Sequence, residues 1–385
     1  METDAVYAGL VAFATAALLT PAVARFARRF GAVDELKARG LARDATPLLG
    51  GLAIFAGALI AALLFMPEGE RTRGILVAAA LITLVGALDD VRDLPPGAKL
   101  AGQVIAALIL VNAGVEVRNI TFPFLGAVSF GDTGGPLTVL GLVAVMNVVN
   151  FSDGVDGLAA GVCAISSIAF AIIAFDLGRD TAGVLAAITA GAALGFLVYN
   201  FHPASVFMGD CGSNLLGLLL GAVIVEGSLK TNALIALVAP LVILAVPFLD
   251  TSFVVAKRLK YRRPVYRADS NHFHHRFHRI GFSQRRTVLY LYAWTITMAG
   301  LAVALRFIPY SDHGHLDPGW SAALAACFLV ALAASAYLIY VLEILKLRRL
   351  RAWQLRRTDP ATTEHQIDED VERRLETGEF TALGH

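Results

Sequence analysis

Adjacent carboxylates at Asp89 and Asp90 close an apolar run in VGALDDVRDLPPGAK. Neighbouring carboxylates repel, and a helix C-terminus carries partial negative charge that worsens the repulsion. A fold has no need of such a pair. A divalent cation or a proton-transfer role would account for it, and two solvated loop acids are the plain alternative. Asn147, Asn150, Asp153 and Asp156 recur at every third position in MNVVNFSDGVDGLAAG. On one continuous helix this spacing gives the oxygens a common face, and Gly154 and Gly157 leave room for a ligand. The plain alternative is a polar helix cap. Asp210 lies in YNFHPASVFMGDCGSN. There Pro203 stops one helix and Gly209 and Gly212 shape a tight loop. The amides that open the next helix suit an anion such as a pyrophosphate, unless Asp210 or Ser213 simply caps that helix.

A further cluster is basic. KRLKYRRPVYRADSNHFHHRFHRIGFSQRR holds ten Lys and Arg with His272, His274, His275 and His278. A zinc site is disfavoured by the surrounding positive charge and the lack of cysteine. Phosphate binding by imidazole and guanidinium fits better, with part of the charge resting on anionic lipid heads. Asp250, in AVPFLDTSF, is either functional or the partner of a nearby arginine.

These groups need elements to position them. Of 385 residues, 57 % are hydrophobic and 16 % charged, against about 25 % charged in a typical soluble domain. Mean hydropathy is +0.66. A disordered chain and an ordinary soluble enzyme are both excluded. The expected fold is an all-α polytopic membrane protein. Apolar runs predict eleven spans, near 6–24, 48–66, 74–88, 99–115, 136–151, 158–175, 182–199, 213–227, 233–255, 287–308 and 319–343. Cys163, Cys211 and Cys327 are too scattered for a disulfide framework. The first span has no basic residue before it, so it does not read as a cleavable signal peptide.

Placing the N-terminus outside puts 26 of the 32 Lys and Arg on the cytoplasmic side, as the positive-inside rule requires. The C-terminus is then cytoplasmic. Residues 1–345 form the transmembrane catalytic domain, with cytoplasmic loops at 25–47, 89–99, 150–158, 200–213 and 256–287. Residues 346–385 form a solvated polar tail. Every cluster above falls on the cytoplasmic face. Acids, amide oxygens, a glycine-shaped loop and a His/Arg loop together describe a site for Mg²⁺ and a nucleotide diphosphate. A site at the membrane boundary further suggests a lipid substrate. A cation carrier would instead place acids near the mid-membrane, and a scaffold has no use for this set.

LVGALDDVRD, NVVNFSDGVDGLAAG, FHPASVFMGDCGSN and HFHHR, in that order, resemble the polyprenyl-phosphate N-acetylhexosamine-1-phosphate transferases, glycosyltransferase family 4. The resemblance runs from about Asp34 to Arg286. It implies eleven spans with the N-terminus out, a bacterial plasma-membrane location, and transfer of a sugar-1-phosphate from a UDP-sugar to a polyprenyl phosphate with release of UMP. HFHHR, where the MurNAc-pentapeptide branch has three consecutive histidines, is similar to the GlcNAc-1-phosphate branch. That branch starts polymers such as O-antigen and teichoic acid. UDP-GlcNAc is the expected donor and undecaprenyl or decaprenyl phosphate the acceptor. Another UDP-HexNAc or UDP-MurNAc-pentapeptide is the alternative donor.

The resemblance also implies residue roles. Asp210 is expected to lead Mg²⁺ binding with Asn150 or Asp153, Mn²⁺ being an alternative ion. Asp89 would accept or orient the acceptor's proton, and Asp90 would support metal or substrate. Lys99 would hold the lipid phosphate. Asn200, Phe207 and Asp156 would hold the nucleotide, and His272, His274, His275 and Arg276 the donor's phosphates or sugar. A homodimer is compatible with the family, and nucleic acid is not an expected partner. One departure stands out. The first cytoplasmic loop, VDELKARGLARDATPLLGG, lacks the His usual before Pro47, Gly50 and Gly51. Lys37, Arg39 or Arg43 is the expected substitute.

Overall fold

The structure, a computed structural model, describes residues 2–34, 46–122, 126–228, 284–309, 311–312 and 315–341, with short pieces between 355 and 370. Its helices are α1 (Glu2–Arg29), α2 (Gly51–Phe65), α3 (Glu70–Arg92), α4 (Pro96–Asn112), α5 (Gly134–Ser152), α6 (Leu158–Asp176), α7 (Asp180–Asn200), α8 (Gly209–Ser228), α9 (Gln284–Phe307) and α10 (Pro318–Val341). Eight are long and apolar enough to cross a membrane, and α2 and α4 are shorter apolar helices. Each of these ten coincides with one predicted span. The remaining predicted span, 233–255, lies outside the described residues.

The expected all-α character holds for the bundle, with three small antiparallel strand pairs between helices among the described residues. They are β1 (Val33–Asp34) with β2 (Thr46–Pro47), β3 (Asn119–Phe122) with β4 (Gly126–Ser129), and β5 (Ser311–Asp312) with β6 (His315–Leu316).

Helix α8 is the axis of the bundle and packs on α2, α3, α5, α6 and α7. Its side chains from Leu215 to Val223 are buried on all faces, as expected of a helix surrounded by other helices. In α1, Ala5, Ala8, Ala12 and Ala16 form a buried stripe of small residues at helical spacing. Such stripes let backbones approach where lipid gives no hydrophobic push between helices.

Backbones also approach closely at one end of the bundle. A Cβ on Gly51 would meet Gly212 N at 2.1 Å, and one on Gly86 would meet Cys211 Cα at 2.4 Å. Both obstacles are backbone, so they cannot rotate away. Gly86→Ala should therefore push α3 off the start of α8 at a cost of about 1–3 kcal/mol. A lowered thermal midpoint together with reduced transfer activity is expected. Unchanged values of both would show that the contact is not needed.

Candidate active site

The same end of the bundle gathers most of the predicted site. Asp89 and Asp90 lie inside the last turn of α3, which runs on to Arg92 and ends at Asp93 in a left-handed conformation (φ 49°). Their side chains diverge. Asp89 Oδ1 accepts a hydrogen bond from Leu94 N at 2.7 Å, and Asp89 Oδ2 is ion-paired with Lys99 Nζ. Asp90 instead reaches α8. Its Oδ1 accepts from Asp210 N at 2.7 Å and its Oδ2 from Cys211 N at 3.2 Å. The adjacent carboxylates are tolerated because each answers to a different element. Asp90, expected to support metal or substrate, caps the start of α8, where negative charge is favoured. Gly209 makes room for it. A Cβ there would lie 2.3 Å from Asp90 Oδ2, and its φ of +73° suits only glycine well.

With its amide held by Asp90, Asp210 presents its carboxylate to two other helices. Oδ2 accepts from Lys99 Nζ of α4 at 3.1 Å, and Oδ1 from Asn150 Nδ2 of α5 at 2.9 Å. Asn150 Nδ2 also donates to Ser213 Oγ at 2.9 Å. Lys99 thus stands between Asp89 and Asp210. Of the three donors on an ammonium, one remains for a ligand among the described residues.

A second polar layer lies beneath. Asn147 Nδ2 donates to Gln103 Oε1 at 2.8 Å, Gln103 Nε2 to Asn214 Oδ1 at 2.7 Å, and Asn214 Nδ2 to the Asp210 carbonyl at 2.8 Å. Gln103 and Asn214 escaped the sequence reading. The signal was available: Gln103 is the one amide in KLAGQVIAALIL, one turn beyond Lys99 on the same face.

The three-residue spacing from Asn147 to Asp156 does not lie on one continuous helix. Helix α5 stops at Ser152, Asp153 is its C-cap, and Gly157 turns the chain with φ +80° into α6. Asn147 and Asn150 share a face, whereas Asp153 and Asp156 sit on the turn. The loop after α7 grips that turn. Asn200 Oδ1 accepts from Gly157 N at 3.0 Å, and Asn200 Nδ2 donates to the Val206 carbonyl at 3.0 Å. Asn200 is 2 % exposed, and both ends of its amide are committed internally. Its placement is that of a strut under the expected nucleotide pocket. Phe207, half-buried, is fixed through its backbone. Its N donates to the Pro47 carbonyl at 2.9 Å and its carbonyl accepts from Gly50 N at 3.0 Å.

Carboxylates crowd this end of the bundle. Burial raises Asp153 well above the usual carboxylate range, and the charges of Asp210, Asp90 and Asp156 push the same way. Lys99 is the one lysine or arginine paired with these acids among the described residues. Asn150 Oδ1, Asp153 and Asp210 offer a donor set made only of oxygen. No group of three or more His, Cys, Asp or Glu able to hold a metal occurs among the described residues. A metal here would rest on one or two carboxylates plus substrate oxygens. That habit fits Mg²⁺ and is a poor match to zinc. His272, His274, His275, Arg276 and Asp250 lie outside the described residues, as do Lys37, Arg39 and Arg43.

Residues 72–228 carry every contact of this carboxylate and amide network, and they match the model of glycosyl transferase family 4. A probable undecaprenyl-phosphate N-acetylglucosaminyl 1-phosphate transferase of Bacillus subtilis is 36 % identical over 304 residues, 78 % of this chain and 85 % of the relative. The chain belongs to glycosyl transferase family 4. Two further family 4 relatives align over similar lengths. A decaprenyl-phosphate N-acetylglucosaminephosphotransferase of Mycolicibacterium smegmatis is 37 % identical over 331 residues, 77 % of this chain and 82 % of the relative. A phospho-N-acetylmuramoyl-pentapeptide-transferase of Moorella thermoacetica is 35 % identical over 305 residues, 73 % of this chain and 92 % of the relative. Within family 4 the chain resembles the undecaprenyl-phosphate GlcNAc-1-phosphate transferase branch, and its apolar helices make it a multi-pass membrane protein.

Proposed function

We propose that this protein transfers GlcNAc-1-phosphate from UDP-GlcNAc to undecaprenyl or decaprenyl phosphate. The products are polyprenyl-pyrophosphoryl-GlcNAc and UMP, and the step opens the assembly of a cell-envelope polysaccharide. The chain crosses a bacterial plasma membrane eleven times with its N-terminus outside, and the reaction takes place at the cytoplasmic face. The observation that carries the reading is the Lys99 ammonium held between Asp89 and Asp210, next to amides and carboxylates of α5.

Phosphoryl transfer depends on positioning and charge neutralisation more than on covalent help. A polyprenyl monophosphate carries about −1.5 to −2 charge at pH 7, so its own oxygen is already nucleophilic. Lys99 supplies a positive charge and a free N–H donor to that phosphate. Asp89 fixes the direction of the lysine from the α3 side, and Asp210 fixes it from α8. Asn150 and Asp153 hold oxygen atoms toward the donor's pyrophosphate end. When bound there, Mg²⁺, or Mn²⁺ in its place, neutralises the pyrophosphate and the UMP leaving group. Asn200, Phe207 and Asp156 hold the nucleotide, and Asn200 also ties the loop after α7 to the turn before α6. His272, His274, His275 and Arg276 contact the phosphates or sugar of the donor.

The second reading, UDP-MurNAc-pentapeptide as donor, is favoured by the relatives that carry that name, and the HFHHR sequence speaks against it. Radiolabel transfer with purified protein, Mg²⁺ and polyprenyl phosphate separates the two. Label from UDP-GlcNAc, but not from UDP-MurNAc-pentapeptide or UDP-GalNAc, should appear in the lipid fraction, and a chelator should abolish it. Label arriving only from another donor overturns the assignment of GlcNAc.

A further inference from the structure

We infer that His202 is a positioning residue for the nucleotide end of the donor, acting by holding the Asp156 carboxylate in one orientation. The inference rests on the proposed nucleotide role of Asp156. His202 follows α7 by two residues and drew no attention in the sequence, where it reads as part of the loop opened by Pro203.

In the structure His202 Nδ1 lies 2.7 Å from Asp156 Oδ2, and Ala204 N donates to the same oxygen at 3.1 Å. A carboxylate partner requires Nδ1 to carry its proton, which fixes the neutral tautomer or the imidazolium. Asp156 Oδ1 accepts nothing from the described residues. The protein therefore consumes one carboxylate oxygen and presents the other. A lone acceptor oxygen recognises an N–H or O–H donor, and a nucleotide offers both on its base and ribose. Side chains of His202 and Asp156 are 20 % and 17 % exposed, buried enough to be oriented and open enough to be reached.

The backbone of His202 is anchored as well. Arg285 Nε, from the first turn of α9, donates to the His202 carbonyl at 2.9 Å. Tyr292, two turns on, donates its hydroxyl to the Gly157 carbonyl, directly after Asp156. Helix α9 thus holds both partners of the dyad, the loop after α7 and the turn before α6. A fixed pair of this kind aims a hydrogen bond and does little else, so its loss should register in donor affinity.

Three variants test this. His202→Phe keeps the ring and loses the donor. His202→Asn keeps an N–H close to the Nδ1 position. Asp156→Asn removes the charge. KM for UDP-GlcNAc, KM for polyprenyl phosphate and kcat are measured for each. His202→Phe should raise the donor KM about tenfold, in keeping with the loss of a hydrogen bond to a charged group, and leave kcat and the acceptor KM within about twofold. His202→Asn should recover most of the donor KM. His202→Phe combined with Asp156→Asn should be no worse than Asp156→Asn alone, since the pair acts as a unit. A wild-type donor KM in His202→Phe overturns the inference. So does an equal loss in all three constants, or a failure of Asn to do better than Phe. Should His202→Phe fail to insert, the donor KM of His202→Asn against His202→Ala decides in the same way. UMP binding, read by calorimetry, keeps the two readings apart. If the wild type binds UMP and His202→Phe binds it more weakly, the inference stands even where UDP-GlcNAc is not turned over. Equal UMP affinity removes it even where UDP-GlcNAc is the donor.

Discussion

Asp210→Asn should lower turnover by about a thousandfold, the loss expected when a preorganised charged group is removed from a transfer site. The substitution is nearly isosteric and leaves the α8 cap alone, because Asp90 binds the Asp210 backbone amide and not its side chain. What changes is the carboxylate. One of its oxygens accepts from Lys99 and the other from Asn150. An asparagine amide offers one oxygen and two N–H donors, so one of those two donors is left facing an N–H group. Asp210→Glu restores the charge but displaces it by one methylene, and misplacement on the order of 1 Å can cost a hundredfold. Membrane insertion and the thermal midpoint should stay near wild type for both variants. Turnover within tenfold of wild type in Asp210→Asn would remove Asp210 from the reaction centre.

The convergence of DD, NVVNFSDG and FMGDCGSN at one end of the bundle was legible in the sequence. Their apolar flanks set helix boundaries, and the boundaries set which ends meet. Local patterns failed where a tertiary partner decides. Nothing in VGALDDVRD says that Asp89 turns to Lys99 while Asp90 reaches α8, since the deciding amides belong to residues about 120 positions away. The three-residue spacing through Asn147, Asn150, Asp153 and Asp156 is helical only while the helix lasts. Gly154 and Gly157 read as space for a ligand, yet Gly157 also supplies the positive φ that starts α6 in a new direction. Asn200 read as a contact to the base, and no local pattern signalled that its amide also ties Gly157 to Val206. A polar side chain in an apolar run signals only that a partner exists. For Gln103 and Asn214 the partners were each other.

Lys99→Met should lower turnover by a hundredfold or more and destabilise the protein at the same time, and a second substitution should separate the two effects. Asp89 is 5 % exposed, and the Leu94 amide is the donor left to it among the described residues once the ammonium is gone. Stranding one partner of a buried ion pair costs about 3–5 kcal/mol. The lysine side chain is 38 % exposed, so screening brings the expected loss down to about 1–3 kcal/mol. The loss should be read as a lower thermal midpoint in detergent or lipid discs. Adding Asp89→Asn removes the stranded charge, so the double variant should recover most of the midpoint. It should not recover turnover, because the Lys99 charge proposed to meet the lipid phosphate is gone. Lys99→Arg gives the converse case. The charge survives, but a planar guanidinium cannot place three donors around one point as an ammonium does, so stability should hold while turnover falls. If Lys99→Met with Asp89→Asn regained both stability and turnover, the lysine would be a counter-charge for Asp89 alone. A loss of turnover that exceeds that of Asp89→Asn alone and persists after the midpoint is restored places Lys99 on the substrate, the outcome expected of an ammonium whose third N–H donor meets no described residue.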